Sequence, residues 1–186
     1  MPDYPFIPLF ALLIFLCLCP AFLTGQDQTD SISQESDQLK MGVSFLLSAY
    51  RFDDFTYDPT ILLGVRVSRQ ITTDLLVAAE FRVGTPEDRF RERGLLGNVN
   101  LNINYQFFPI GKIRPYAGLA VGYYDITGFQ DRIPDTQFAA GGTVGLTFPF
   151  GTRVSAFTEV QYTNFFQAEV IQRGQPGASF GLQNSF

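Results

Sequence analysis

The stretch "GNVNLNINYQFFP", Gly97 to Pro109, decides the architecture. An amide stands at every second position: Asn98, Asn100, Asn102, Asn104 and Gln106. Val99, Leu101, Ile103, Tyr105 and Phe107 fill the places between. Strand side chains point to opposite faces with period two, so this is a strand with one amide face and one apolar face. Asn is depleted from ordinary strands, which makes a whole face of it informative. A soluble sheet would bury the apolar face and wet the amides. A barrel in a bilayer would turn the apolar face to lipid and enclose the amides.

The pattern is repeated along the chain. Met41, Val43, Phe45 and Leu47 alternate with Lys40, Gly42, Ser44 and Ser48. Similar phases run through Ile61–Ser68, Leu75–Gly84, Pro115–Tyr124, Phe138–Phe148, Val154–Thr163 and Ser179–Phe186, which makes eight strands in all. The charges inside them are Lys40, Arg66, Glu80, Arg82 and Glu159, and all five take the polar phase. A charge facing hydrocarbon costs about 2–4 kcal/mol at the bilayer midplane, so lipid outside would enforce this segregation.

The connections alternate in length. The short ones are "RQITT" (Arg69–Thr73), "PIGK" (Pro109–Lys112) and "PFGT" (Pro149–Thr152), recurring every 40 residues. The long ones are Arg51–Thr60, Thr85–Gly97, Asp125–Gln137 and Asn164–Gly177. Short turns at one end and long loops at the other mark an outer-membrane barrel. A sheet in lipid must also close, because no open edge can be satisfied there. The expected fold is therefore all-β: a closed eight-stranded antiparallel up-and-down transmembrane β-barrel.

The N-terminal stretch "FIPLFALLIFLCLCPAFLTG" is apolar up to Pro20 and ends in small residues, as a secretory signal does. Residues 1–25 are read as that signal, although the leading "MPDYP" lacks Lys and Arg. Residues 26–37, "QDQTDSISQESD", are polar and acidic and read as a disordered leader. Residues 38–186 are the barrel. Both cysteines, Cys17 and Cys19, fall in the signal, so the exported chain would use neither disulfides nor thiolates.

Composition narrows the function. There is no His, which removes His metal ligands and His-based acid–base catalysis. With a net charge of -5, the chain has no basic footprint for nucleic acid. No phosphate-binding Gly loop or nucleophile elbow appears, and the expectation is a non-enzyme without cofactors. Phe107, Phe108, Phe148, Phe150 and Phe186 near the short turns, and Tyr50, Tyr123, Tyr124 and Tyr162 near the loops, read as interfacial girdles.

At the end of the chain Ser179, Gly181 and Phe186 form a polar–glycine–aromatic closing pattern, with Asn184 departing from it. "IRPYAGLAVGYY" (Ile113–Tyr124) and "FTEVQY" (Phe157–Tyr162) add further likeness. On these segments the chain resembles the small eight-stranded outer-membrane barrels of the OmpA/OmpX type. The resemblance implies residence in the cell outer membrane and recognition of Ser179, Gly181 and Phe186 by the barrel-assembly machinery. It implies contact with outer-membrane lipid and lipopolysaccharide, and with an extracellular protein partner of unknown identity.

Lys40, Arg66, Glu80, Arg82 and Glu159, with Asn100, Asn102 and Asn104, are read as a polar network filling the lumen, since eight strands leave room only for side chains or one small ligand. Arg89, Arg91 and Arg93, in "EDRFRER", are candidates for gripping lipopolysaccharide phosphates. The reading that follows is a structural or interaction barrel acting through four long loops. The alternatives are a narrow porin or route for small hydrophobic molecules, and a soluble lipocalin-like binding barrel.

Overall fold

The computed structural model describes residues 40–51, 59–87, 93–127, 136–166 and 175–186. The expected signal and leader lie outside the described residues. Eight strands follow one another: β1 (Met41–Tyr50), β2 (Thr60–Gln70), β3 (Leu75–Gly84), β4 (Leu95–Gln106), β5 (Arg114–Thr127), β6 (Thr136–Pro149), β7 (Val154–Phe165) and β8 (Gln175–Ser185). Each pairs antiparallel with its sequence neighbours, and β8 returns to pair with β1, so the barrel closes. Beyond the last rung the backbone amide of Met41 donates to the Phe186 carbonyl at 3.1 Å, and the amide of Phe186 donates to the Met41 carbonyl at 2.9 Å.

Burial settles which way the opening strand faces. Asn98, Asn100, Asn102 and Asn104 are 0–3% exposed, whereas Leu101, Ile103 and Tyr105 are 40–50% exposed. The amides line the inside. The outer surface is apolar, with Phe45, Leu63, Leu119, Val144, Val160 and Leu182 all exposed. Apolar outside and polar inside is the inverse of a soluble binding barrel and suits hydrocarbon. This is the fold of a transmembrane β-barrel.

Two short turns each place a glycine at positive φ. In "FPIGK", Ile110 and Ile113 exchange backbone hydrogen bonds of 2.8 and 3.1 Å around Gly111. Gly111 has φ of 64° and Gly151, in "FPFGT", has φ of 106°. Both angles lie where a Cβ is strained, which explains glycine in these turns.

The strands run further toward the loops than alternation predicts. β5 continues to Thr127 and β4 begins at Leu95. The cause is inside the barrel. Tyr50, Leu62, Leu96, Tyr124 and Ala139 form a buried apolar cluster at this end, with Phe165 packed against it. Where both faces are apolar, the period-two signal vanishes although the strand continues. Tyr50 and Tyr124, expected in the outer girdle, belong to this inner cluster, each 1% exposed. Tyr162 stays outside at 53% exposure, and Tyr123 packs edge-on against Phe138 with centroids 5.3 Å apart. The longer strands also bring Arg69 and Asp125 into the outward phase, both close to strand ends.

Candidate functional site in the barrel lumen

The middle of the lumen holds charge. Arg66 on β2 and Glu80 on β3 are direct cross-strand partners. Two positions further along β3, Arg82 takes the same inward phase. Glu159 reaches in from β7, on another side of the barrel. Arg66 Nε donates to Glu80 Oε1 and its Nη2 to Glu159 Oε1, both at 2.5 Å. Arg82 Nη2 donates to Glu80 Oε2 at 2.5 Å and lies 3.4 Å from Glu159 Oε1. All four side chains are at most 5% exposed. Two guanidinium groups thus meet two carboxylates in one buried, formally neutral group.

Hydroxyl, amide and aromatic partners complete it. Tyr116 OH donates to Glu159 Oε2 at 2.7 Å, and Tyr50 OH donates to Gln161 Oε1 at 2.7 Å. Arg82 Nη1 donates to Tyr50 OH. The Arg66 guanidinium carbon lies 4.3 Å from the centre of the Phe157 ring, and that of Arg82 5.5 Å from the Tyr50 ring. Stacking of this kind favours arginine over lysine. Gly181 makes room for the Phe157 ring. A Cβ at that position would meet Phe157 Cε1 at 2.5 Å.

The sequence-derived residues divide in space. Arg66, Glu80, Arg82 and Glu159 come together. Asn98 and Asn100 flank them, paired in register with Arg82 and Glu80, while Asn102 and Asn104 continue toward the turns. Asn102 Nδ2 and the Gln137 amide meet no hydrogen-bond partner among the described residues. Buried amides of this kind are ordinarily satisfied by ordered water.

Lys40 does not join the cluster. It is exposed, just before β1, and lines the turn-end opening. Its inward phase is as expected, but the β1 residue level with Arg66 is Ser44. At roughly 3.3 Å per residue, that leaves Lys40 about 13 Å away along the strand. Sequence reading missed Tyr50, Tyr116 and Gln161 as partners. Phase alone could have found Tyr116, since it precedes Gly118, Ala120 and Gly122 on the inward side.

At the loop end, Arg93 Nε lies 3.4 Å from Glu87 Oε2, with both side chains exposed. Arg89 and Arg91 lie outside the described residues. In β8, Ser179 and Gly181 face inward, and Phe186 is 70% exposed. Among the described residues no three His, Cys, Asp or Glu side chains gather as metal ligands.

At the turn end the lumen widens into a cavity of about 350 Å³. Its walls carry Lys40, Arg66, Lys112, Arg114 and Arg153 among amides and hydroxyls.

No family model matches this chain. No curated protein matches it either. Solved structures do. Neisserial surface protein A (NspA) superposes with a TM-score of 0.58 at 14% identity, covering 80% of this chain and 97% of that one. The N-terminal β-barrel domain of Pseudomonas aeruginosa OprF gives 0.57 at 20% identity, covering 80% and 98%. Ail, the attachment invasion locus protein of Yersinia pestis, gives 0.52 at 12% identity, covering 79% and 97%. At these identities the likeness is one of fold: the small eight-stranded outer-membrane β-barrel.

Proposed function

We propose that this chain is an integral outer-membrane protein whose barrel is a structural support and whose loops meet the surroundings. The observation that carries the reading is the neutral Arg66–Glu80–Arg82–Glu159 group lying beside the apolar Tyr50–Leu62–Leu96–Tyr124 cluster. Together they act as a filling that leaves solutes no straight aqueous path. Fillings of this kind suit barrels of this size. The protein carries out no covalent chemistry in this reading.

Export follows from the apolar N-terminal signal. Ser179, Gly181 and Phe186 are the handle for the barrel-assembly machinery. Outer-membrane lipid covers the apolar belt. Four long loops face outward, where Arg89, Arg91 and Arg93 hold lipopolysaccharide phosphates and an extracellular protein is met. The name of Ail, the attachment invasion locus protein, which shares this fold, is consistent with an outward-facing role.

The test is conductance in planar bilayers. The reconstituted protein should give at most small and infrequent currents. Large steady channels would replace the support reading with a porin.

A further inference from the structure

The turn-end cavity runs against the overall charge of the chain. The whole chain carries 18 acidic and 13 basic residues. The charged side chains lining the cavity are nevertheless all basic: Lys40, Arg66, Lys112, Arg114 and Arg153. Arg66 is already neutralised by Glu80 and Glu159. Arg114 donates to the neutral Gln106 Oε1 at 3.0 Å, and that partner carries no opposing charge. Among the described residues no salt bridge engages Lys40, Lys112, Arg114 or Arg153.

These four cations come from separate places in the fold. Lys40 precedes β1, Lys112 sits in the β4–β5 turn, Arg114 opens β5, and Arg153 precedes β7. The barrel closes them into one ring around a common space. Like charges held this way repel one another, and an anion between them relieves the repulsion. The volume, about 350 Å³, falls within the range of small-molecule sites. Guanidinium forks match phosphate oxygens, and lysines add point charge. Gln70, Asn104, Thr147 and Gln183 offer neutral hydrogen bonds in the same walls.

We propose that the turn-end mouth is a binding site for a small ligand bearing two or more phosphate groups. The phosphate can belong to a free solute or to a lipid headgroup. Neither source requires passage through the barrel.

The test is calorimetric titration of the folded barrel with inorganic pyrophosphate, in maltoside micelles free of phosphate. Saturable binding is expected. The variant Lys112→Gln/Arg114→Gln/Arg153→Gln should weaken it about tenfold or more. Arg69→Gln, on the outward face of β2 at the same end, should leave it unchanged. The charge-keeping variant Lys112→Arg/Arg153→Lys should retain it, which separates loss of charge from loss of fold. In nanodiscs, weaker pyrophosphate binding in cardiolipin, whose headgroup carries two phosphates, than in phosphatidylcholine assigns the site to a headgroup. Equal binding assigns it to a solute. Absence of binding up to about 10 mM pyrophosphate, or equal binding by the triple variant, overturns the proposal. So does binding that appears only once residues 26–37 are removed, because the chain's own acidic segment would then be the occupant.

Discussion

The two ends of the lumen are built on opposite principles. Toward the loops, an apolar cluster is packed among buried amides and hydroxyls: Leu62, Leu96, Asn98 and Gln137 are all 0% exposed. Below them, the arginines are matched with carboxylates. Toward the turns, inward side chains are long, cationic and unmatched, and they surround open space. Each strand contributes to both ends with the same alternation. The difference therefore lies in which residues occupy the inward phase, not in the backbone. A matched, buried group is what a scaffold needs. An unmatched, accessible ring is what a ligand needs.

The largest effect should come from unbalancing the matched layer. Glu80→Ala leaves Arg66 and Arg82 sharing a single carboxylate in a buried site. Removing one partner of a buried ion pair costs about 3–5 kcal/mol. The urea midpoint of the refolded barrel measures it. A loss under about 1 kcal/mol would put this layer in the same class as the mouth.

A second cut compares inside with outside. Leu101→Arg places a charge on the lipid face and should cost about 2–4 kcal/mol, whereas Asn102→Ser, its inward neighbour, should cost well under that. Folding into lipid vesicles reads both. Equal losses would mean that the two faces have been exchanged.

Gly181→Ala probes the packing that supports the matched layer. The added methyl meets the Phe157 ring that lies over Arg66. Overpacking of this kind costs about 1–3 kcal/mol. Combining it with Phe157→Leu should recover only part of the loss in the same urea midpoint, because the methyl also meets the Phe45 carbonyl oxygen at 2.9 Å.

The smallest stability change is expected at the mouth. Lys112→Gln/Arg153→Gln should shift stability by less than about 0.5 kcal/mol, because exposed charges contribute little to folding. A much larger loss would show that these cations are structural after all.

Much of this was legible in the chain. The alternation at Asn98–Phe107 announced its inner and outer faces, and the polar phase of Arg66, Glu80, Arg82 and Glu159 put them in the lumen. That phase cannot say which of them touch, because contact across a barrel depends on strand stagger as well as parity. The apolar loop-end cluster was hidden for another reason. Leu62 stands between Ile61 and Leu63, and Tyr124 follows Tyr123. Neighbours of equal hydrophobicity erase a period-two signal. The basic mouth was hidden because Lys40, Lys112, Arg114 and Arg153 are scattered along the sequence and meet only when the sheet closes.

The seam between Met41 and Phe186 has a kinetic consequence. Every other strand pair is a hairpin whose partners are close along the chain. The β1–β8 pair joins Gly42 to Ser185, nearly the whole length of the barrel. Loop-closure entropy grows with the logarithm of chain length, so this one pairing costs about 2 kcal/mol more than a hairpin. The long-range search of the fold is concentrated in a single event. Seven pairings can zip locally, and the eighth turns a curled ribbon into a tube. Until that event both edges stand open.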